Sequence, residues 1–145
     1  MLLSNTCDYG IRAALYVATQ KNRDFVPIRE ISEELNISFH FLTKILQKLT
    51  QAGLMTSFRG PNGGVTLARP AAQISLYDII VAIDGPMLFK ECVLGLANCG
   101  DEAPCPLHHQ WAGIRSQLMA MFQNSILENM SENIMREGFR LKDTI

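Results

Sequence analysis

No run of apolar residues in this chain is long enough to cross a bilayer, so no helical membrane span is expected. The amino terminus, Met1-Leu2-Leu3, lacks a basic flank, and Asp8 and Arg12 interrupt the stretch after it. No secretion signal is therefore read, and the expected location is the reducing cytoplasm. There is no internal repeat and no low-complexity segment. No nucleophile–base pair, phosphate-binding glycine loop or set of paired carboxylates stands in a supporting context, so the chain is not expected to be an enzyme. Gly60 to Gly64 is glycine-rich, but it joins two strand-like stretches and has no helix amino terminus to hold a phosphate.

Acid is also missing, locally. Between Asn36 and Tyr77 there is no Asp or Glu, while Lys44, Lys48, Arg59 and Arg69 all fall there. The net charge of −1 hides this asymmetry, because the acids collect further on, from Asp78 to Asp143. A local positive stretch in a neutral chain is the footprint expected of a phosphate-backbone contact.

What is present suits a globular protein. The chain has 145 residues, 48% of them hydrophobic, enough for one domain or a small domain with an appendage used for association. Helical spacing predicts an amphipathic helix from about Asn5 to Gln20, and a second from Pro27 through Ile28, Ile31 and Leu35. After the short turn Asn36-Ile37-Ser38, a third helix buries Phe41 or Leu42 with Ile45, Leu46 and Leu49, and stops at Ala52-Gly53. Ser38 is placed to cap it. Strand-like 54–58 and 65–68 flank the turn-rich loop 59–64, a hairpin with a basic tip. Ser75 and Asp78 nearly match a capping box for a helix ending near Asp84. A loop over 87–106 carries cysteines, and one long helix is expected from about Leu107 to Met130, with Trp111, Ile114, Leu118 and Met121 at three-four spacing. A short helix and a frayed end come after it. The fold class expected is mainly α: a winged helix-turn-helix with a small β-hairpin wing and a long C-terminal helix.

In such a domain the amino-terminal residues of the second helix meet base edges in the major groove. Those residues are Ser38, Phe39, His40 and Thr43, with Lys44 and Lys48 aimed at phosphates. The loop, with Arg59 and Asn62, suits a minor-groove or backbone contact.

Three of the four cysteines, Cys92, Cys99 and Cys105, lie in one short segment, and Cys7 lies far away. In a reducing compartment such a trio reads as a metal or redox site. Soft thiolates select zinc, copper(I) or iron–sulfur clusters. Gaps of six and five residues are wider than zinc knuckles use, which favours a cluster. A metal-free thiol/disulfide switch is the alternative. Cys7 is read as a buried residue of the first helix, His109 as a solvated one, and Trp111 as core or dimer contact.

Asp8-Tyr9-Gly10-Ile11-Arg12-Ala13, the turn Asn36-Ile37-Ser38, the wing 58–64 followed by Leu67-Ala68-Arg69-Pro70, and the cysteine loop together resemble the Rrf2 family of bacterial regulators. The resemblance covers nearly the whole chain. It implies a DNA-binding transcription regulator, expected to repress, that binds a palindromic double-stranded DNA operator as a homodimer held by the C-terminal helix. Its recognition helices would lie roughly 34 Å apart. It also implies a [2Fe–2S] or [4Fe–4S] cluster sensing nitric oxide, redox or iron–sulfur status. The fourth ligand matches His108 in the cluster-assembly branch and Asp8, reaching across the dimer, in the nitric-oxide-sensing branch. The first gap of six, where five is commoner, leaves nuclearity open. The division expected is 1–84 winged helix, 85–106 cysteine-rich cluster loop, and 107–145 dimerisation helix and tail.

Overall fold

The computed structural model describes residues 2–143. In chain order its elements are α1 (Asn5–Thr19), α2 (Ile28–Leu35), α3 (Phe39–Gln51), β1 (Met55–Phe58), β2 (Gly64–Leu67), α4 (Leu76–Asp84), α5 (His108–Asn124) and α6 (Leu127–Glu137). The expected class, mainly α with a two-stranded wing, is the one observed. No helix among the described residues is long and apolar enough to cross a membrane.

Local chemistry sets most boundaries. Ser4 caps α1: its hydroxyl accepts from the Cys7 N–H at 3.0 Å and donates to Asp84, whose carboxylate also takes the Ser4 N–H. That fastens the start of α1 to the end of α4. α2 stops at Asn36, which adopts the left-handed conformation (φ 54°) that asparagine tolerates. The expected cap of α3 is not formed. Ser38 sits at the N-cap position without a side-chain bond, and the first turn closes on its carbonyl, which accepts from the Leu42 N–H at 2.8 Å. The capping box of α4 is complete, with Ser75 and Asp78 bonded in both directions.

Leu42, Ile45, Leu46 and Leu49 are each at most 2% exposed, so α3 is held rigidly by its inner face. Each such side chain gains about 1.5–3 kcal/mol from burial. The hairpin pairs Met55 with Leu67 and Phe58 with Gly64. A third short segment joins it: Val26 and Val65 exchange two backbone hydrogen bonds of 2.9 Å.

Two glycines mark close approaches. A Cβ on Gly10 would meet the flexible end of Ile83 at 2.3 Å, so α4 lies tightly on α1 at the Asp8-Tyr9-Gly10 stretch. A Cβ on Gly64 would meet the Val26 carbonyl oxygen at 2.3 Å, which is backbone and cannot swing away. Overpacking costs about 1–3 kcal/mol. Gly64→Ala is expected near the top of that range and Gly10→Ala near the bottom, measured by urea denaturation. A Gly64→Ala midpoint equal to wild type would contradict this.

The single helix expected over 107–130 is two helices. At Ser125 and Ile126 the backbone becomes extended and bridges to Ser75. The Leu76 N–H donates to the Ser125 carbonyl and the Leu127 N–H to the Ile74 carbonyl, both at 2.9 Å. The bonds given up by the helix are thus recovered, and Leu127 becomes fully buried. α6 then packs on α1, inside the core of the winged helix.

Candidate metal centre and nucleic-acid interface

His40, Lys44 and Lys48 recur every four residues and are all exposed, so they form one outward stripe on α3. Ser38 is exposed beside them. Thr43 is half-buried, and its hydroxyl donates to the Phe39 carbonyl at 2.8 Å, which leaves it only as an acceptor and a methyl. Phe39 is neither core nor free: it is half-buried with the Arg29 guanidinium stacked 5.0 Å from its ring centre. The wing residues Arg59 and Asn62 are exposed, on a tip that turns at Gly60 (φ 103°). A cavity of about 400 Å³ separates wing from helix, lined among others by Arg29, Phe39, Phe58 and Pro61. Arg29 carries no distinguishing signal in the sequence, because a basic residue in the first turn of a helix reads as an ordinary solvated one. Arg69 is engaged locally, 3.3 Å from Asp78 and 3.2 Å from the Gln73 carbonyl.

The cysteine segment lies between a short 3-10 turn, Met87–Phe89, and α5. Phe89 is buried and packs on Tyr77 of α4 and Phe122 of α5, with ring centres 5.1 and 6.2 Å apart. At the other end, the Cys105 carbonyl accepts the His108 N–H at 3.0 Å, so its backbone forms the lead-in turn of α5. The Cys92 sulfur lies 3.6 Å from that of Cys105, and the Cys99 sulfur 3.5 Å from His108 Nδ1. Two ligands on one tetrahedral metal atom lie roughly 3.4–3.8 Å apart. Both pairs therefore stand at chelating distance. The thiols are not gathered round one point: among the described residues the trio of potential ligand atoms within 4.8 Å of one another is Asp101, His108 and His109.

Hydrogen bonding favours ionised sulfur at Cys92. The N–H groups of Leu96 and then Leu94 hold the Cys92 thiol below its ordinary value, the chain being turned back by Gly95 (φ 76°). Arg115 on α5 reaches the Cys99 sulfur at 3.5 Å and the Lys90 and Glu91 carbonyls at 3.0 and 3.1 Å. Trp111, expected in the core or at a dimer contact, is half-buried and donates from Nε1 to the Glu91 carbonyl at 2.9 Å. His108, Trp111 and Arg115 are spaced i, i+3, i+7, one face of α5 turned to the cysteines, a signal the sequence carries. His108 is 5% exposed. Cys7 is fully buried, and burial, then the Asp84 and Asp8 carboxylates, push its thiol up to about 12. Asp8 is half-buried on α1, and among the described residues no hydrogen bond or ion pair joins it to the cysteine segment.

Comparison with known proteins places these features in a family context. A family model described as Rrf2, iron-dependent transcriptional regulator, matches residues 3–133. The HTH-type transcriptional regulator IscR of Vibrio vulnificus is 34% identical over 134 residues, covering 92% of this chain and 79% of that one. The oxidized form of Staphylococcus aureus CymR superposes with a TM-score of 0.74 at 27% identity, covering 91% of this chain and 97% of that one. The structure of CymR, described as the global cysteine regulator of B. subtilis, shares the fold with a TM-score of 0.77 at 24% identity, covering 90% and 95%.

Proposed function

The chain belongs to the Rrf2 family of DNA-binding transcription regulators, and from that premise we propose that a [2Fe–2S] cluster held by Cys92, Cys99, Cys105 and His108 sets its affinity for operator DNA. The observation that carries this is the division of the four ligands into two chelating pairs, Cys92 with Cys105 and Cys99 with His108. Two irons with two protein ligands each match that division. His108 is preferred to Asp8 because its imidazole is already buried against Cys99, whereas among the described residues no hydrogen bond or ion pair joins Asp8 to the cysteine segment.

When bound, the cluster supplies a tie between the two pairs that nitric oxide, oxidants or iron shortage can release. The chain's own residues carry the consequence. Arg115 and Trp111 pin the start of the cysteine segment to α5, and Phe89 passes its position to Tyr77 on α4, which packs on α1 and α3. Ile114 and Met121, both 51% exposed seven residues apart on α5, form an apolar face suited to a homodimer of repressors on a palindromic operator. Ser38, Phe39, His40 and Thr43 would meet base edges, with Lys44, Lys48, Arg59 and Asn62 on the backbone or minor groove. A coupling of about 1–3 kcal/mol between cluster state and DNA affinity is enough for a switch.

Anaerobic isolation followed by iron and sulfide analysis and operator titration tests this. Iron and sulfide are expected in equal amounts, lost in His108→Ala and kept in Asp8→Ala, with operator affinity changing about 5-fold or more when the metal is stripped. Reconstitution without iron or sulfide, and with unchanged DNA binding, would end the proposal.

A second reading, a metal-free thiol switch, is favoured by the same 3.6 Å separation of Cys92 and Cys105. A disulfide is about 2.05 Å long, so a small movement closes it. Peroxide would take both thiol hydrogens with their electrons and leave as water. Thiol counting by mass before and after peroxide, beside the iron analysis, separates the two readings.

A further inference from the structure

We propose that Asp101 is the positioning residue of this centre: its carboxylate holds His108 as the tautomer whose Nδ1 lone pair faces the Cys99 sulfur. The inference rests on the ligand set proposed above. His108 Nε2 lies 3.0 Å from Asp101 Oδ1 on one side of the ring, and Nδ1 lies 3.5 Å from the Cys99 sulfur on the other. An ionised carboxylate only accepts hydrogen bonds, so Nε2 must carry the proton. A neutral imidazole has one N–H, and Nδ1 is left bare. That is the nitrogen turned toward the Cys99 sulfur. A histidine that holds a metal through one nitrogen commonly gives its other N–H to a carboxylate, which fixes both tautomer and ring orientation.

Three features make this a positioning contact. The His108 side chain is 6% exposed, so the ring has little freedom to seek water, while that of Asp101 is 90% exposed and belongs to no part of the core. The His108 backbone is separately tied through its N–H to Cys105, which leaves the ring as the part to be oriented. His109, exposed and also within 4.8 Å of the pair, is the competing partner for either group and supplies a control.

The test has one arm that needs no cluster. Two-bond proton–nitrogen correlation spectra of the reduced, metal-free chain at about pH 8, above the ordinary histidine value, read the tautomer of His108 directly. Wild type, Asp101→Asn and His109→Ala are expected to show Nε2–H alone, since an amide oxygen accepts the same bond. Asp101→Ala is expected to show both tautomers. In the second arm, iron loss to a chelator after anaerobic reconstitution is expected to be about 10- to 100-fold faster in Asp101→Ala, with Asp101→Asn close to wild type. An unchanged tautomer in Asp101→Ala overturns the proposal, and so does an unchanged rate of iron loss. A wild-type chain that takes up no iron and sulfide overturns the cluster proposal instead, while the metal-free spectra still decide whether Asp101 governs His108.

Discussion

Cys105→Ser is expected to reduce iron and sulfide to background after anaerobic reconstitution while leaving the winged helix folded. Serine offers a hard oxygen where the centre needs a soft thiolate, and the partner sulfur of Cys92, 3.6 Å away, would be left without its chelating mate. The fold should not suffer, because Cys105 is half-buried and lies outside the main apolar cluster, as does Cys92. Cys7→Ala is the matching control. Its thiol, pushed up to about 12 by burial and neighbouring carboxylates, resists the ionisation that metal binding requires. Full cluster content in Cys105→Ser, or its loss in Cys7→Ala, would show that the ligand set has been misassigned. Circular dichroism recorded on the same samples separates lost ligation from lost folding.

Combining Lys44→Ala, Lys48→Ala and Arg59→Ala is expected to weaken operator binding by roughly 100-fold or more, at about 1 kcal/mol for each phosphate contact. It should also lower the slope of log affinity against log salt by about 2.7 per protomer, from a contribution of about 0.9 for each phosphate neutralised. Among the described residues these three cations make no ion pair within the chain, so their charge is available to a partner. Arg69 belongs to the same acid-poor stretch but is already engaged by Asp78 and the Gln73 carbonyl. Arg69→Ala should leave the salt slope nearly unchanged. A triple variant with the wild-type slope would mean that DNA approaches another face. Titration of a duplex at several salt concentrations gives both quantities.

Much of the winged-helix half is legible in the sequence because its signals are local. The three-four spacing of Leu42, Ile45, Leu46 and Leu49 predicts the buried side of α3, and the stripe of His40, Lys44 and Lys48 is its complement. Val26 falls between the first two predicted helices with no pattern to mark it, yet it is 2% exposed and bonded to Val65. Its partner lies 39 residues away, beyond the reach of any periodicity. The break between α5 and α6 is hidden for a similar reason. Ser125 and Ile126 leave the helix because Ser75 and its neighbours offer replacement hydrogen bonds, and apolar spacing continues through the break without a proline or glycine to mark it.

Composition and spacing alone determined that this chain is a mainly helical winged-helix protein with an acid-free stretch and three clustered thiols, because helix period, turn chemistry and local charge are written in neighbouring residues. Tertiary structure decided that Cys92 pairs with Cys105, that His108 is buried between Cys99 and Asp101, and that Arg115 and Trp111 hold the segment in place. Pairing at 3.5 to 3.6 Å depends on how a loop folds back on a helix. Spacing along the chain limits that distance from above and does not otherwise specify it.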